Sequence, residues 1–60
     1  MNKPHVYTNL DGQPVTVPCL DWLEDGTSEE GEPCSRYYIG EEDGDSQSVW
    51  LDDDLNEVNA

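Results

Sequence analysis

The sequence predicts a mainly β protein: a small antiparallel sheet or barrel with at most one or two short helical turns. Its β-branched and aromatic residues gather in short runs, which are typical of strands. Turn signals of Asp, Gly and Pro separate these runs, and no stretch has the apolar periodicity of a long helix. At 60 residues the chain is one small acidic domain spanning 1–60. A domain of this size buries only ~60% of the surface of its unfolded chain, so we expect a thin core.

The N-terminal third predicts a hairpin. Two β-type runs, His5–Thr8 and Pro14–Val17, flank an Asp11-Gly12 turn signal, and such a pattern favours antiparallel pairing. Because Pro14 and Pro18 bracket the second run, we expect it to be an edge strand.

The middle of the chain is ambiguous. Residues 19–24 fit one turn of helix, since Leu20 and Leu23 are three apart, but also fit a continuing strand. Residues 24–33 are rich in Glu, Gly and Pro, and we expect a mobile polar loop there.

The C-terminal half predicts a second hairpin. Arg36–Ile39 is the clearest strand, the acidic segment Glu41–Asp45 forms the turn, and Ser48–Leu51 returns as the partner strand. Asp52–Leu55 then predicts a tight turn before a short extension, Asn56–Val58.

This succession over residues 36–58 resembles the C-terminal half of small SH3-like barrels, a group that includes Tudor and KOW modules. The resemblance implies a hairpin, a one-turn 3₁₀ segment and a last short strand. The aromatic cage with which such modules bind ligands is not recognisable here, and KOW modules that bind nucleic acid are usually basic. The resemblance therefore implies a fold and no ligand.

The apolar residues available for a core are few, since only 33% of the chain is hydrophobic and there is no Phe. We expect the core to be built from Val6, Tyr7, Val15, Val17, Leu20, Trp22, Leu23, Tyr37, Tyr38, Ile39, Val49, Trp50, Leu51, Leu55 and Val58.

Charge is the most unusual property of the chain. Fifteen Asp and Glu face two cations, Lys3 and Arg36, which gives a formal net charge of −13. A small domain needs a net charge of only about 2–8 for solubility, and the excess destabilises the compact state by self-repulsion. This charge excludes nucleic acid as a direct partner and disfavours anionic membranes. It favours a basic protein surface.

The acids fall into three groups, which we expect in loops or at strand ends. The first acidic group is Asp21, Glu24, Asp25, Glu29, Glu30 and Glu32. The second is Glu41, Glu42, Asp43 and Asp45. The third is Asp52, Asp53, Asp54 and Glu57. Together with Trp22, an aromatic anchor beside the first group, these acids are the predicted partner-binding residues. Trp50 lies within a strand, where a place in the core is the simpler interpretation.

In this character the whole chain resembles the acidic DNA-mimic inhibitors encoded by phages and mobile elements, which include anti-CRISPR and anti-restriction proteins. The resemblance implies a non-enzymatic inhibitor that blocks the basic DNA-binding surface of a host defence nuclease complex. No single motif carries it, so no functional residue follows from alignment. An SH3-like interaction adaptor or phage accessory protein, whose acids only maintain solubility, is the alternative.

Metal binding and catalysis are weaker interpretations. Asp43, Asp45, Gln47 and Asp54 roughly imitate a calcium loop, but Ser48 replaces its glycine and no helices flank it. Zinc-ligand spacing is missing around Cys19 and Cys34, and no local motif supplies a catalytic base. We therefore expect no cofactor, no metal and no catalytic residue.

The two cysteines bear on the compartment. Cys19 and Cys34 are able to close one disulfide loop, but residues 1–5 lack the apolar core of a signal peptide. We therefore expect the bacterial host cytoplasm and two reduced, partly buried thiols. The sequence leaves the oligomeric state open.

Overall fold

A computed structural model describes residues 5–60, so Lys3 and most of the N-terminal segment used in the signal-peptide argument lie outside the described residues. Five strands follow one another along the chain: β1 (His5–Thr8), β2 (Pro14–Val17), β3 (Asp21–Thr27), β4 (Pro33–Glu42) and β5 (Asp45–Leu51). They form two antiparallel sheets, β1-β2 and β3-β4-β5. The described part of the chain contains no helix, which confirms the mainly β prediction. None of its segments is a helix long and apolar enough to cross a membrane.

The predicted N-terminal hairpin is confirmed, with His5 opposite Val17 and Thr8 opposite Pro14. Its turn is organised by Asn9, whose side-chain oxygen accepts hydrogen bonds from the backbone N–H of Asp11 (3.0 Å) and of Gln13 (2.9 Å). A short amide side chain that bonds the backbone two residues ahead is a common way to fix such a turn.

The second hairpin is also confirmed, but its turn is tighter than predicted. Only Asp43 and Gly44 leave the strands, with φ of 53° and 83°. Positive φ at both positions gives the backbone twist that a two-residue hairpin needs, and Asp-Gly adopts it readily. Glu41 and Asp45, predicted in the turn, lie in β4 and β5.

The predicted loop over 24–33 is wrong in extent, because β3 continues to Thr27 and β4 begins at Pro33. The connection is residues 28–32, where Ser28 N donates to the Glu32 carbonyl at 2.8 Å and Gly31 N donates to the Ser28 carbonyl at 2.9 Å. Of the two alternatives for residues 19–24, the structure shows a strand from Asp21 onward. The polar composition was misleading because an edge strand keeps most of its side chains in water.

The segment after β5 joins the two sheets. Leu55 N donates to the Asp52 carbonyl at 3.0 Å, which makes the predicted tight turn, although this turn is not the 3₁₀ helix that the SH3-like resemblance implies. Beyond it, Asn56 bridges to Thr8 in β1, and Glu57 bridges to Leu51 in β5. These few residues therefore hold the hairpin against the larger sheet.

The core is as thin as expected but differently composed. Tyr7, Cys34 and Leu51 are its buried apolar members, and Leu51 alone is fully enclosed. Three expected core residues, Val6, Trp22 and Leu23, are exposed; the others are half-buried. Cys34, expected to be partly buried but not counted in the core, is one of the most buried residues, because a single small residue in a polar context gives no apolar pattern.

Trp50 packs across β3 at Gly26. Its half-buried ring lies on Gly26, where an added Cβ would overlap the ring carbon Cζ3 and come within 2.7 Å of Cη2. Glycine at this position thus lets the indole cross the strand, which agrees with the core role predicted for Trp50.

Candidate acidic interface

The carboxylates cover the surface that the described chain presents. Thirteen of the fifteen Asp and Glu are exposed, while Asp52 and Glu57 are half-buried. The prediction that the acids lie in loops or at strand ends is wrong for Glu24 and Asp25, which lie within β3.

The first acidic group occupies β3 and the turn that follows it. Asp21, Glu24 and Asp25 lie on β3, whereas the remaining three acids lie in the 28–32 connection. Glu24 Oε2 accepts a hydrogen bond from Arg36 Nη1 at 2.9 Å, and Arg36 Nε donates to Ser48 Oγ at 3.0 Å. Arg36 is the sole Lys or Arg in residues 5–60. Its charge is therefore paired, and no other Lys or Arg offsets the acids in that range.

The second acidic group surrounds the Asp43-Gly44 turn. Glu42 and Asp45 stand directly opposite each other in the register of β4 and β5. Like charges in that relation destabilise a sheet. No side-chain ion pair among the described residues relieves them. The tip of this hairpin therefore carries an uncompensated repulsion between acids.

Two members of the third acidic group accept backbone hydrogen bonds, and the other two are exposed. Asp52 Oδ1 accepts hydrogen bonds from the backbone N–H of Asp54 and of Asn56, each at 2.9 Å. Glu57 Oε1 accepts from Leu10 N at 3.3 Å. These two acids thus have a structural role, whereas Asp53 and Asp54 extend into solvent.

Trp22 is an exposed aromatic held in place by the first acidic group. The residue is 58% exposed, and its indole N–H donates to Asp25 Oδ1 at 3.2 Å. The same oxygen accepts a hydrogen bond from Ser35 Oγ at 3.0 Å. This arrangement could not be predicted from the residue pattern, because a β-bulge between Trp22 and Glu24 interrupts the alternation along β3.

Apart from the acids and Trp22, the described residues offer few features that suit a small ligand or a metal ion. One shallow cleft of about 150 Å³ lies between Leu10, Ser28–Glu30 and Glu57–Asn59. Ligand pockets usually have about 300–1,000 Å³. In the calcium-loop alternative, Asp45 begins β5 and Asp54 lies beyond the other end of that strand, so the extended strand separates two of the residues that would have to converge on one ion. No group of three His, Cys, Asp or Glu in residues 5–60 is placed to hold a metal ion.

Both cysteines are free, with Cys34 buried and Cys19 half-buried. Burial raises the pKa of the Cys19 thiol, and the negative charge of Asp21 raises it further. Burial likewise raises the pKa of Tyr38, with Glu41 as the next cause, and that of Tyr7, with Glu57 as the next cause. In each case proximity to the acids favours the neutral form of the neighbouring group.

The fold and surface define a small all-β domain with an exposed acidic coat and one anchored aromatic side chain. Comparisons with protein-family models, with curated proteins and with solved structures find no match.

Proposed function

We propose that this protein is a non-enzymatic inhibitor that occupies the basic DNA-binding surface of a host defence nuclease complex, in the manner of a DNA mimic. One observation carries the proposal: thirteen exposed carboxylates surround a small β scaffold whose single Arg within residues 5–60 is already paired. The proposed setting is a bacterial cytoplasm, where such complexes act.

The charge density of the protein is close to that of a duplex. The molecule measures 34 Å along its longest axis. B-DNA carries one charge per ~1.7 Å of axis, so the same length of duplex has about 20 phosphates. The chain has fifteen carboxylates. A Lys- and Arg-lined DNA channel would therefore meet a comparable number of anionic groups.

The arrangement of the charge supports a binding role over a solubility role. The acids are placed where they repel each other, as at Glu42 and Asp45, although alternating signs would keep the domain equally soluble. Complementary potentials accelerate association and suppress partners of the wrong charge.

A competition assay tests the proposal. The full chain is titrated into complexes of labelled duplex DNA with purified restriction enzymes and with a Cas9-type effector, at salt concentrations from about 50 to 200 mM. We expect displacement of DNA from at least one of them, with affinity falling by orders of magnitude across that range, as for proteins that contact many phosphates.

Charge-reversal variants identify the surface responsible. Lysine at Glu29, Glu30, Asp53 and Asp54, all exposed, should abolish displacement. Thr16→Ser, an exposed change without charge on β2, is the control and should leave it intact. Displacement that survives reversal, or affinity that is insensitive to salt, would refute the mimicry.

The exposed Trp22 favours a second candidate, a protein-interaction adaptor. Trp and Tyr are enriched among residues that dominate binding energy, and Trp22 is accompanied on β3 by the exposed Leu23. In this case binding would fail in Trp22→Ala and persist in the charge-reversed variant.

A further inference from the structure

The outer edge of β3 is an unpaired strand edge. β3 is the terminal strand in the order β3-β4-β5, and its one strand partner is β4. Over residues 5–60, no other backbone group hydrogen bonds to Asp21–Thr27. A strand edge of this kind exposes a row of N–H and C=O groups that are able to pair with another chain.

The other strand edges are closed or shorter. The outer side of β5 meets the C-terminal segment at its end, where Glu57 bridges to Leu51 and Val58 N donates to the Trp50 carbonyl at 3.0 Å. The part of that edge left open, residues 45–49, is shorter than β3. β1 meets the same segment through Thr8. β2 has four residues and begins with a proline, whereas β3 has seven and no proline. β3 is thus the longest available edge in the described chain.

The charges on β3 determine which kind of strand is able to pair with its outer edge. Asp21, Glu24 and Asp25 lie on this strand, so pairing with β3 of a second copy would bring six carboxylates together. Acidic side chains and a bulge are devices that prevent such self-association. They favour an incoming strand that carries Lys or Arg. Glu24 and Asp25 each use one carboxylate oxygen within the chain, which leaves the second oxygen of each for a partner.

Trp22 supplies an apolar anchor at the same edge. Its ring is exposed but fixed through Asp25 and Ser35, so binding would immobilise little additional side-chain freedom. An Arg or Lys of the partner is able to lie on the indole face, where a cation–π contact reinforces the attraction of the acids.

We propose that β3 receives an extended, basic segment of the partner protein by strand addition, with main-chain hydrogen bonds along its outer edge and Trp22 as the anchor. This inference rests on the proposed function for the basic character of the partner. It adds that one segment of the partner is bound in β conformation, in addition to the wider electrostatic contact.

The test uses two peptide probes and the ¹⁵N-labelled full chain. The first probe is a ten-residue peptide of alternating Lys and Thr. The second has the same sequence with alternate backbone nitrogens methylated, which removes hydrogen-bond donors and retains the charge. We expect the first to shift and protect the amide signals of Asp21–Thr27, and the second to bind at least tenfold more weakly.

Two variants and a matched control localise the effect. Trp22→Ala should weaken binding of the first peptide at least fivefold. Asp21→Asn should weaken it more than the control Asp53→Asn, an equal charge change in the 52–55 turn. Thermal melts establish that each variant is folded. No binding, equal affinity for both peptides, or shifts confined to the Asp43-Gly44 tip would overturn the strand addition.

The outcomes separate this inference from the proposed function. If the methylated peptide binds equally well while the protein still displaces DNA from its target, mimicry stands and strand addition fails. If the first peptide docks on β3 but no DNA is displaced, the docking edge stands and mimicry fails.

Discussion

Cys19 illustrates how the acidic surface changes the chemistry of a single side chain. Its thiol donates to the Tyr38 carbonyl at 3.8 Å, and burial and Asp21 raise its pKa above the ordinary value of 9.0. Because the thiolate is the reactive species, Cys19 should be a slow nucleophile near neutral pH.

We therefore expect iodoacetamide to alkylate Cys19 more slowly than a free thiol at pH 8, with the rate rising only at higher pH. Asp21→Asn should move this pH–rate profile to lower pH, because it removes one of the two main causes. Mass spectrometry of the modified peptide measures the rate, and buried Cys34 provides an internal comparison. A profile unchanged in Asp21→Asn but shifted in Asp53→Asn would contradict the assignment.

The same pKa shift has a consequence for stability. A group whose pKa is higher in the folded state than in the unfolded state stabilises the fold below its unfolded-state pKa. This stabilisation is lost as the pH rises through its folded-state pKa. The contribution of Cys19 is thus intact at neutral pH and disappears in alkali. Tyr7 and Tyr38, whose pKa values are also raised, act in the same direction at still higher pH.

At the scale of elements, the 52–55 turn depends on one carboxylate. Asp52 accepts two backbone hydrogen bonds, and the turn holds Leu55 at a φ of 61°. A left-handed conformation costs a residue with a Cβ about 1–2 kcal/mol. Hydrogen bonds from Leu55 N to Asp52 and from Thr8 N to the Leu55 carbonyl, both 3.0 Å, maintain it.

Asp52→Ala should lower the free energy of unfolding by about 1–3 kcal/mol, since each lost hydrogen bond contributes about 0.5–1.5 kcal/mol. Asp53→Ala removes the same charge from an exposed neighbour and should change stability by less than about 0.5 kcal/mol. Urea unfolding followed by Trp fluorescence compares the two. Equal midpoints would show that the turn does not depend on the Asp52 side chain.

The hairpins could be predicted from the sequence because their signals are local. An Asp-Gly pair between β-branched or aromatic runs specifies turn, strands and register together. β3 could not be predicted in the same way. Its exposed acids resemble loop composition, and its bulge at Trp22 and Glu24 removes the alternation that would identify a strand. The exposure of Trp22, and hence part of the candidate site, depends on that bulge.

At the scale of the whole molecule, fourteen of the fifteen acids were predicted as binding residues from sequence. The structural role of each acid could not be predicted, because spacing along the chain does not show which carboxylates accept backbone hydrogen bonds. Asp52 and Glu57 looked equivalent to Asp53 and Asp54, yet tertiary contacts with the turn and with Leu10 separate them. Charge is a property of composition, whereas an interface is a property of the fold.

The net charge of −13 should make stability depend on salt. At about 10 mM salt the screening length is about 30 Å, close to the 34 Å length of the molecule, so all acids repel one another. At about 150 mM it falls to about 8 Å. We expect Tm to rise by several degrees between these concentrations of NaCl, measured by circular dichroism.

Glu42→Lys is the matched test of this repulsion, since it replaces a like-charge pair with Asp45 by an opposite one. The variant should melt higher than the natural chain at low salt and show a smaller gain on adding NaCl. A Tm that falls or stays constant with salt would mean that self-repulsion is not the dominant electrostatic contribution.

The joining of the two sheets by residues 55–58 also determines when this protein is able to fold. Thr8 meets Asn56 although four strands, β2 to β5, lie between them along the chain, and such distant contacts slow folding. During synthesis the N-terminal hairpin emerges first, whereas the residues that hold it in place follow only after β5. The contacts that hold the hairpin against the larger sheet therefore form only after translation has passed Val58, and a nascent chain that stalls earlier would lack the hydrogen bonds of Thr8 and Trp50 to this segment.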